Sequence, residues 1–224
     1  MEISKNTIIV SVITFVLIVA FLGGVYFISG GLGGGAATNS GPTKSLPPLK
    51  STDHTKWSNE KKILLVEYAD FQCPGCANAH SALIAQIEKS EPSIIKHVTY
   101  VYRYFPLIQN HKNAQVSAYA AEAAGRQGKF FAMSDKIFDN QSDWEGLPDP
   151  RDTFKKYASE LKLDLSRFEA DIASIDVKNR VQKDLDEGVA AGVASTPTFF
   201  LQGRKLEFRT YDEFRQKLLD VLKK

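Results

Sequence analysis

The chain has 224 residues, 43% of them hydrophobic and 24% charged, a length that suits one domain with room for an appendage. This composition excludes a collagen-like chain, a disulfide-rich scaffold and a chain that is disordered throughout. The first 50 residues hold three of the 28 basic and one of the 26 acidic side chains, so residues 51–224 carry 25 of each sign. A neutral domain argues against nucleic-acid binding, which requires a basic face.

An uncharged apolar stretch covers residues 8–28. About 20 such residues cross a bilayer as a helix, so we predict a transmembrane signal-anchor helix there. A cleaved signal peptide is the alternative, with a cleavage site at residues 35–37, although its apolar stretch is usually about 7–15 residues long. Lys5 precedes the stretch and no charge follows before Lys44, so the positive-inside rule places residues 1–7 in the cytoplasm and the rest outside.

A tether and a folded domain follow. Residues 29–51 are rich in Gly, Ser, Thr and Pro, which is typical of a flexible linker, and we predict a domain over residues 52–224. The nearly unbroken apolar run within residues 61–70 indicates a strand buried on both faces of an α/β sheet. With a helix over residues 73–89 and a second strand over residues 97–105, it predicts a strand–helix–strand unit with parallel strands.

The chain is then predicted to be helical from about residue 110 to residue 191, with apolar stripes at helical spacing. One of these helices is expected to begin at Asp149-Pro150, with the aspartate as its cap. A strand over residues 196–202, a short partner strand over residues 205–209 and a capped helix from Thr210 complete the predicted order.

Cys73 and Cys76, the two cysteines of the chain, follow the first predicted strand and open a helix. A thiolate is the attacking species in disulfide exchange, so this chemistry needs a lowered thiol pKa. The free backbone N–H groups and the dipole of a helix N-terminus provide it, and Pro74 is tolerated in a first turn. The pattern predicts Cys73 as an exposed nucleophile and Cys76, one turn deeper, as the resolving thiol.

Two other uses of the cysteines stay open. A purely structural disulfide would close a very short loop and stabilise little. A zinc site could use Cys73, Cys76 and His80, but a structural zinc needs four ligands and the other histidines are isolated in the sequence. We therefore predict a redox pair that needs neither a metal nor a dissociable cofactor.

The chain resembles the DsbA-like thiol-disulfide oxidoreductases of the thioredoxin superfamily. The resemblance rests on YADFQCPGC at 68–76, VASTPTFF at 193–200 and the helical block between them, and it extends over about residues 60–224. It implies a thioredoxin-like α/β fold with an all-helical domain inserted at about residues 110–191.

The resemblance also implies a substrate-binding strip. Thr196 and Pro197 match the superfamily's cis-proline segment, which lies against the cysteines. A proline without an N–H leaves the neighbouring backbone of Thr196 free to pair with an extended client chain; a plain strand-starting proline is the alternative. Pro74 and Gly75, also expected to meet substrate, stand where strongly oxidising relatives carry a histidine, and this implies a milder oxidant.

Glu67 lies six positions before Cys73, where the superfamily has a buried acid. Burial of a carboxyl raises its pKa, and such a group can exchange the proton of Cys76. A solvated glutamate at the sheet edge is the structural alternative.

Taken together, these features predict a membrane-tethered, extracytoplasmic oxidoreductase that oxidises cysteine pairs in unfolded or reduced secreted proteins. The resemblance implies that a quinone-linked membrane protein of the DsbB or VKOR type reoxidises it, and a shared bilayer raises their effective concentration. A reductase or isomerase of the same fold, a tethered peptide-binding chaperone module and a redox sensor are the alternatives.

Overall fold

The structure is a computed structural model and describes residues 46–223. The predicted cytoplasmic N-terminus, the membrane span and most of the tether fall within residues 1–45 and lie outside the described residues. Within residues 46–223, every helix is too short or too polar to cross a bilayer.

Five strands form one sheet in the described part of the chain, in the order β1-β3-β2-β4-β5. The first two predicted strands pair in parallel, as the strand–helix–strand unit requires, and the other neighbours are antiparallel. The strands are β1 His54–Trp57, β2 Ile63–Ala69, β3 Val98–Tyr104, β4 Thr198–Leu201 and β5 Arg204–Lys205.

The predicted helix over residues 73–89 is present, but it is not a regular α-helix throughout. It begins as α1 (Pro74–Ala79), widens into a π-helical turn (His80–Ile84) and continues as α2 (Ala85–Ser90). Such single π turns within α-helices are frequent at functional sites. A short helix α3 (Pro92–His97) then leads into β3.

Six helices separate β3 from β4, where the helical block was predicted. They are α4 Ala114–Gly125, α5 Phe130–Asp139, α6 Gln141–Trp144, α7 Arg151–Glu160, α8 Leu165–Ala173 and α9 Ile175–Ala190. All six alanines of α4 are buried, and their small side chains let neighbouring helices approach closely. Helix α10 (Tyr211–Val221) ends the described chain, and the Thr210 side chain caps it by accepting from the Glu213 N–H at 3.2 Å.

One face of the sheet packs against the main core, which contains Leu65, Ala69 and the tyrosines of β3. The opposite face carries a smaller apolar cluster that includes Val66 and Tyr68. Helix α9 covers this second face at Gly188, where an added Cβ would lie 2.7 Å from the Phe105 ring. The sheet is therefore buried on both faces, in agreement with the apolar character of β2.

Residues Leu46–Lys50, hereafter the strap, also cover the second face. The buried Arg103 of β3 donates to the carbonyls of Pro47 at 3.2 Å and Pro48 at 2.9 Å, and pairs with Asp53 at 2.9 Å. The packed domain thus starts at least six residues before residue 52, the boundary that composition indicates.

Ion pairs hold the C-terminal end of the strap at Lys50. The Lys50 ammonium lies 2.7 Å from the Asp184 carboxylate and 2.6 Å from that of Glu187, both on α9. Arg180 on the same helix contacts Asp184 at 2.6 Å. These partly buried pairs connect the strap to the inserted helices.

Several elements differ from the sequence-based expectation. Strand β1 was not predicted, since His54–Trp57 shows no apolar alternation and is held by pairing with β3 at the sheet edge. The second strand of the last hairpin covers Arg204–Lys205 instead of residues 205–209. Helix α7 starts at Arg151, with Pro150 in the cap position, while Asp149 accepts from the Arg151 N–H at 3.1 Å.

Candidate active site

Both cysteines lie where β2 passes into α1. Cys73 occupies the N-cap position of α1 with extended backbone angles, and its carbonyl accepts from the N–H groups of Cys76 and Ala77 at 3.0 and 3.1 Å. Pro74 follows in the first turn, where a missing N–H costs no intrahelical hydrogen bond. Both cysteines are free thiols in this structure.

Cys73 has the more acidic thiol. Its pKa falls from 9.0 to about 5, first because the Cys76 thiol donates a hydrogen bond to it, and further through the Thr196 side chain and the backbone N–H groups of Cys76 and Gly75. Burial opposes this shift. The expectation of an exposed nucleophile needs correction, since only 9% of Cys73 is accessible. The neighbouring Thr196 carbonyl lies 3.5 Å from its sulfur.

The pKa of Cys76 shifts in the opposite direction. Its side chain is fully buried, and burial raises the pKa of this thiol far above its ordinary value, with the charges of Cys73 and Glu67 adding to the effect. The Asp70 N–H, 3.4 Å from the sulfur, opposes the shift weakly. The two thiols are therefore chemically distinct, one ionised at neutral pH and one protonated.

Glu67 lies inside the main core instead of at a solvated edge. Burial raises its pKa from 4.5 to about 7, against the opposing effect of the Tyr100 hydroxyl, which donates to Oε2 at 2.5 Å. Its charge also influences the pKa of Cys76, so carboxyl and thiol are electrostatically coupled. A buried carboxyl with a pKa near neutrality can both give and take a proton under physiological conditions.

Thr196 and Pro197 come together with the cysteine motif from the other end of the domain. The peptide bond between them is cis. A Cβ added to Gly75 would lie 3.4 Å from the Pro197 ring, 3.6 Å from the Cys73 sulfur and 3.8 Å from the Thr196 carbonyl oxygen, so this loop abuts the active-site turn directly. The Thr196 hydroxyl is buried and has no hydrogen-bond partner among residues 46–223 in the dithiol state, which leaves it able to donate to a Cys73 thiolate.

Sequence reasoning missed the residues that fix the start of the motif. The buried Asp70 carboxylate accepts from the N–H groups of Gln72 at 2.8 Å and Leu107 at 2.9 Å, and lies 2.7 Å from the His111 ring. The Gln72 side chain in turn accepts from the Asn113 N–H at 2.6 Å. An acid at the end of a buried strand was a usable signal, but its partners come from a distant loop.

His80 is the third ligand of the alternative zinc site. His80, on the π turn, stacks on Phe138 and lies 3.6 Å from the carboxylates of Asp135 and Asp139. Among residues 46–223, no group of three or more His, Cys, Asp or Glu side chains is arranged to hold an ion.

Comparison with known proteins agrees with this architecture. Residues 53–220 match the family described as Thioredoxin. The Na(+)/H(+) antiporter NhaA 3 of Salinispora tropica is 38% identical over 160 residues, which are 71% of this chain and 23% of that protein. The antiporter NhaA of Herminiimonas arsenicoxydans is 34% identical over 198 residues, 88% of this chain and 30% of that protein. The chain thus spans less than a third of the length of these relatives.

Solved structures show the same fold at low identity. Oxidised BdbD from Bacillus subtilis superposes with a TM-score of 0.70 at 20% identity, over 80% of this chain and 98% of that one. α-DsbA1 from Wolbachia pipientis gives 0.66 at 20% identity, over 78% and 92%. With its family match over residues 53–220, the chain belongs to the thioredoxin family and has the fold of the DsbA-like proteins.

Proposed function

We propose that this protein is a membrane-tethered, extracytoplasmic thiol-disulfide oxidoreductase that oxidises cysteine pairs in secreted client proteins. The observation that carries the proposal is the divergence of the two thiols, since the Cys73 pKa falls to about 5 while that of Cys76 rises. A stabilised Cys73 thiolate favours the reduced form of the enzyme and therefore makes its disulfide an oxidant.

The proposed reaction consists of two thiol-disulfide exchange steps. A client thiolate attacks the Cys73 sulfur of the Cys73–Cys76 disulfide, a mixed disulfide forms, and Cys76 leaves as a thiolate that takes the proton of Glu67. A second client thiolate attacks the client sulfur of the mixed disulfide, and Cys73 leaves as a thiolate. The client loses two electrons and gains a disulfide, while the Cys73–Cys76 pair gains two electrons.

The strength of the oxidant follows from the same thiol. Reference thiol pKa values are about 7 in thioredoxin and about 3.5 in DsbA, and Cys73 lies between them. The reduction potential should accordingly lie between about −270 mV and about −120 mV. This agrees with the milder oxidant that Pro74 and Gly75 imply.

An equilibrium titration of the full-length protein against glutathione tests the direction of the reaction. A potential within that range, lost in Cys73→Ser and in Cys76→Ser, supports an oxidase. A potential at or below the thioredoxin value of about −270 mV would instead make the protein a reductase. If Cys73→Ser retained the biological role, the protein would be a peptide-binding chaperone module and neither an oxidase nor a reductase.

Turnover requires an electron acceptor. A quinone-linked membrane protein of the DsbB or VKOR type suits a partner held in the same bilayer through residues 8–28, because tethering raises the effective concentration. Reconstitution of the full chain with such a protein and a quinone in lipid vesicles, followed by the rate of client oxidation, tests this assignment. No gain in rate over a version lacking the first 45 residues would count against it.

A second candidate function is the oxidation of cysteines in a membrane transport protein. The curated relatives that match this chain are named Na(+)/H(+) antiporters, and the matched stretch is 23–30% of their length. An association of this domain with a membrane transport protein would make the transporter's own cysteines a substrate. In the Cys76→Ser variant, the Cys73 thiolate can attack the disulfide of an oxidised client, which forms a mixed disulfide and releases the client's second sulfur as a thiolate. No second enzyme thiol can resolve this mixed disulfide, so it should accumulate, and mass spectrometry of the trapped clients then separates membrane transporters from secreted proteins.

A further inference from the structure

We propose that Tyr100 is a positioning residue that orients the Glu67 carboxyl for proton exchange with Cys76. This inference rests on the proposed function and identifies a residue outside the cysteine motif on which its proton step depends. Its hydroxyl donates to Glu67 Oε2 at 2.5 Å, and both side chains are buried. Since the bond is not exposed to water, it holds the carboxyl in one orientation instead of competing with solvent.

The strands fix this contact. In the parallel pairing of β2 with β3, Tyr100 lies opposite Leu65 and Tyr102 lies opposite Glu67, so all four side chains point to the same face of the sheet. The main core surrounds them. Tyr100 therefore approaches Glu67 along the sheet from a rigid element, which is the kind of support that a reacting group requires.

The outer side of the Tyr100 ring is held as well. The Trp57 ring lies 5.2 Å away, and the Lys56 ammonium lies 5.4 Å from the Tyr100 ring centroid. Glu88 fixes both neighbours, since it accepts from the Trp57 indole at 2.8 Å and pairs with Lys56 at 2.5 Å. The phenol is thus clamped between Glu67 and the edge strand β1.

The Glu67 pKa reflects two sets of opposing effects. A hydrogen bond donated by Tyr100 stabilises the carboxylate, and the Lys56 charge helps, whereas burial and the Cys73 charge favour the neutral acid. Removal of the hydroxyl should raise the Glu67 pKa above its value of about 7. Of the titratable groups around Glu67, Lys56, Tyr100 and Cys73 act on its pKa, while Glu67 itself raises the pKa of the Cys76 thiol and of the Tyr102 phenol, both of which stay neutral near pH 7.

Both directions of exchange depend on this balance. When a client opens the disulfide, the neutral Glu67 acid gives its proton to the Cys76 sulfur and becomes a carboxylate. When an oxidant forms a mixed disulfide at Cys73, the carboxylate takes the proton of Cys76, whose sulfur then displaces the oxidant's thiolate. Tyr100→Phe should favour the acid form, and so it should slow the second direction near pH 7.

Tyr102→Phe provides a matched control. Tyr102 lies two residues along β3 on the same face, and its buried hydroxyl has no hydrogen-bond partner in the described structure. Each substitution deletes one hydroxyl from an otherwise retained aromatic ring, and only the Tyr100 hydroxyl contacts Glu67.

The experiment follows reoxidation of the reduced full-length protein by oxidised glutathione in a stopped-flow instrument from pH 5 to pH 9. In the wild-type protein, the rate should rise with a midpoint near pH 7 as Glu67 ionises. Tyr100→Phe should move that midpoint up by roughly one pH unit, which makes the rate at pH 7 roughly fivefold lower. Tyr102→Phe should keep the wild-type midpoint, and Glu67→Gln should abolish this rise with or without Tyr100→Phe.

The proposal is overturned if the midpoint is unchanged in Tyr100→Phe, if Tyr102→Phe moves it equally, or if Glu67→Gln retains it. Carboxyl-carbon NMR of Glu67 gives a readout that does not depend on exchange activity, so failure of the proposed function leaves the hydrogen bond testable. If Tyr100→Phe does not fold, 3,5-difluorotyrosine at position 100 replaces it. This more acidic phenol should lower the Glu67 pKa, and an unchanged or raised value refutes the assignment.

Discussion

The stability of the reduced protein between pH 5 and pH 7 tests the electrostatics of the site. The Cys73 pKa is depressed from 9.0 to about 5 in the folded state, so the thiolate stabilises the fold at high pH, and this effect is lost as the pH falls through 5. From these values, Cys73 stabilises the fold by about 3 kcal/mol at pH 7 but by less than about 1 kcal/mol at pH 5. The increase over this interval is about 2 kcal/mol.

Glu67 acts in the opposite sense. Its pKa is raised from 4.5 to about 7, so stability is lost as the pH rises from 4.5 and the carboxyl ionises more readily in the unfolded chain. The resulting penalty grows from about 1 kcal/mol at pH 5 to about 3 kcal/mol at pH 7. The two effects nearly cancel, and we expect the site to add little pH dependence to the unfolding free energy of the reduced wild-type protein.

Single substitutions should reveal both effects. In Cys73→Ala only the Glu67 penalty remains, so stability relative to wild type should fall by about 2 kcal/mol from pH 5 to pH 7, while Glu67→Gln should gain about the same amount. Urea unfolding in the presence of a reductant, followed by far-UV circular dichroism, measures each difference. A lost contact or a small cavity adds only a constant offset. Curves for the three proteins that stay parallel across this pH range would refute the two pKa shifts.

Three further substitutions test the surroundings of the site and the fold. Thr196→Val removes a buried hydroxyl that stabilises the Cys73 thiolate, so the midpoint of its alkylation by iodoacetamide should rise by roughly one pH unit; an unchanged midpoint would show that this hydroxyl does not act on the sulfur. Gly188→Ala should cost about 1–3 kcal/mol in urea unfolding, since its Cβ would lie 2.7 Å from a phenylalanine ring, whereas Gly146→Ala, with nothing within 4 Å, should be close to neutral. Arg103→Met should cost about 3–5 kcal/mol and make the strap sensitive to protease, because the buried Asp53 carboxylate loses its 2.9 Å ion pair and the carbonyls of Pro47 and Pro48 lose their donor; a strap that stays resistant would contradict this.

The features that could be predicted from the sequence are those encoded by neighbouring residues. The apolar run of β2, the cysteine pair at the start of α1 and the spacing of the later helices each depend on a local pattern. Parallel pairing of β2 with β3 followed from the helix between them. The predicted boundaries were less accurate where a cap or a short hairpin decided them, as at Arg151 and Arg204.

The features that could not be predicted depend on contacts between distant segments. Strand β1 contains His54, Thr55 and Lys56, and only its pairing with β3 makes it a strand. The Tyr100 contact with Glu67 depends on strand register, which no local pattern in residues 97–105 specifies. An acid inside an apolar run marked Glu67 as unusual, but the partner that controls its proton was visible only in three dimensions.

The strap determines how far the chain can be shortened for biochemical work. A recombinant fragment that began at residue 52 would deprive the Arg103 guanidinium of two carbonyl acceptors and Asp184 of its lysine. It would also expose to water one side of the smaller apolar cluster, which includes Val66 and Tyr68. Such a fragment would be prone to aggregate, and weak activity would then reflect damaged folding instead of weak chemistry. Expression vectors for the isolated catalytic unit should therefore include Leu46.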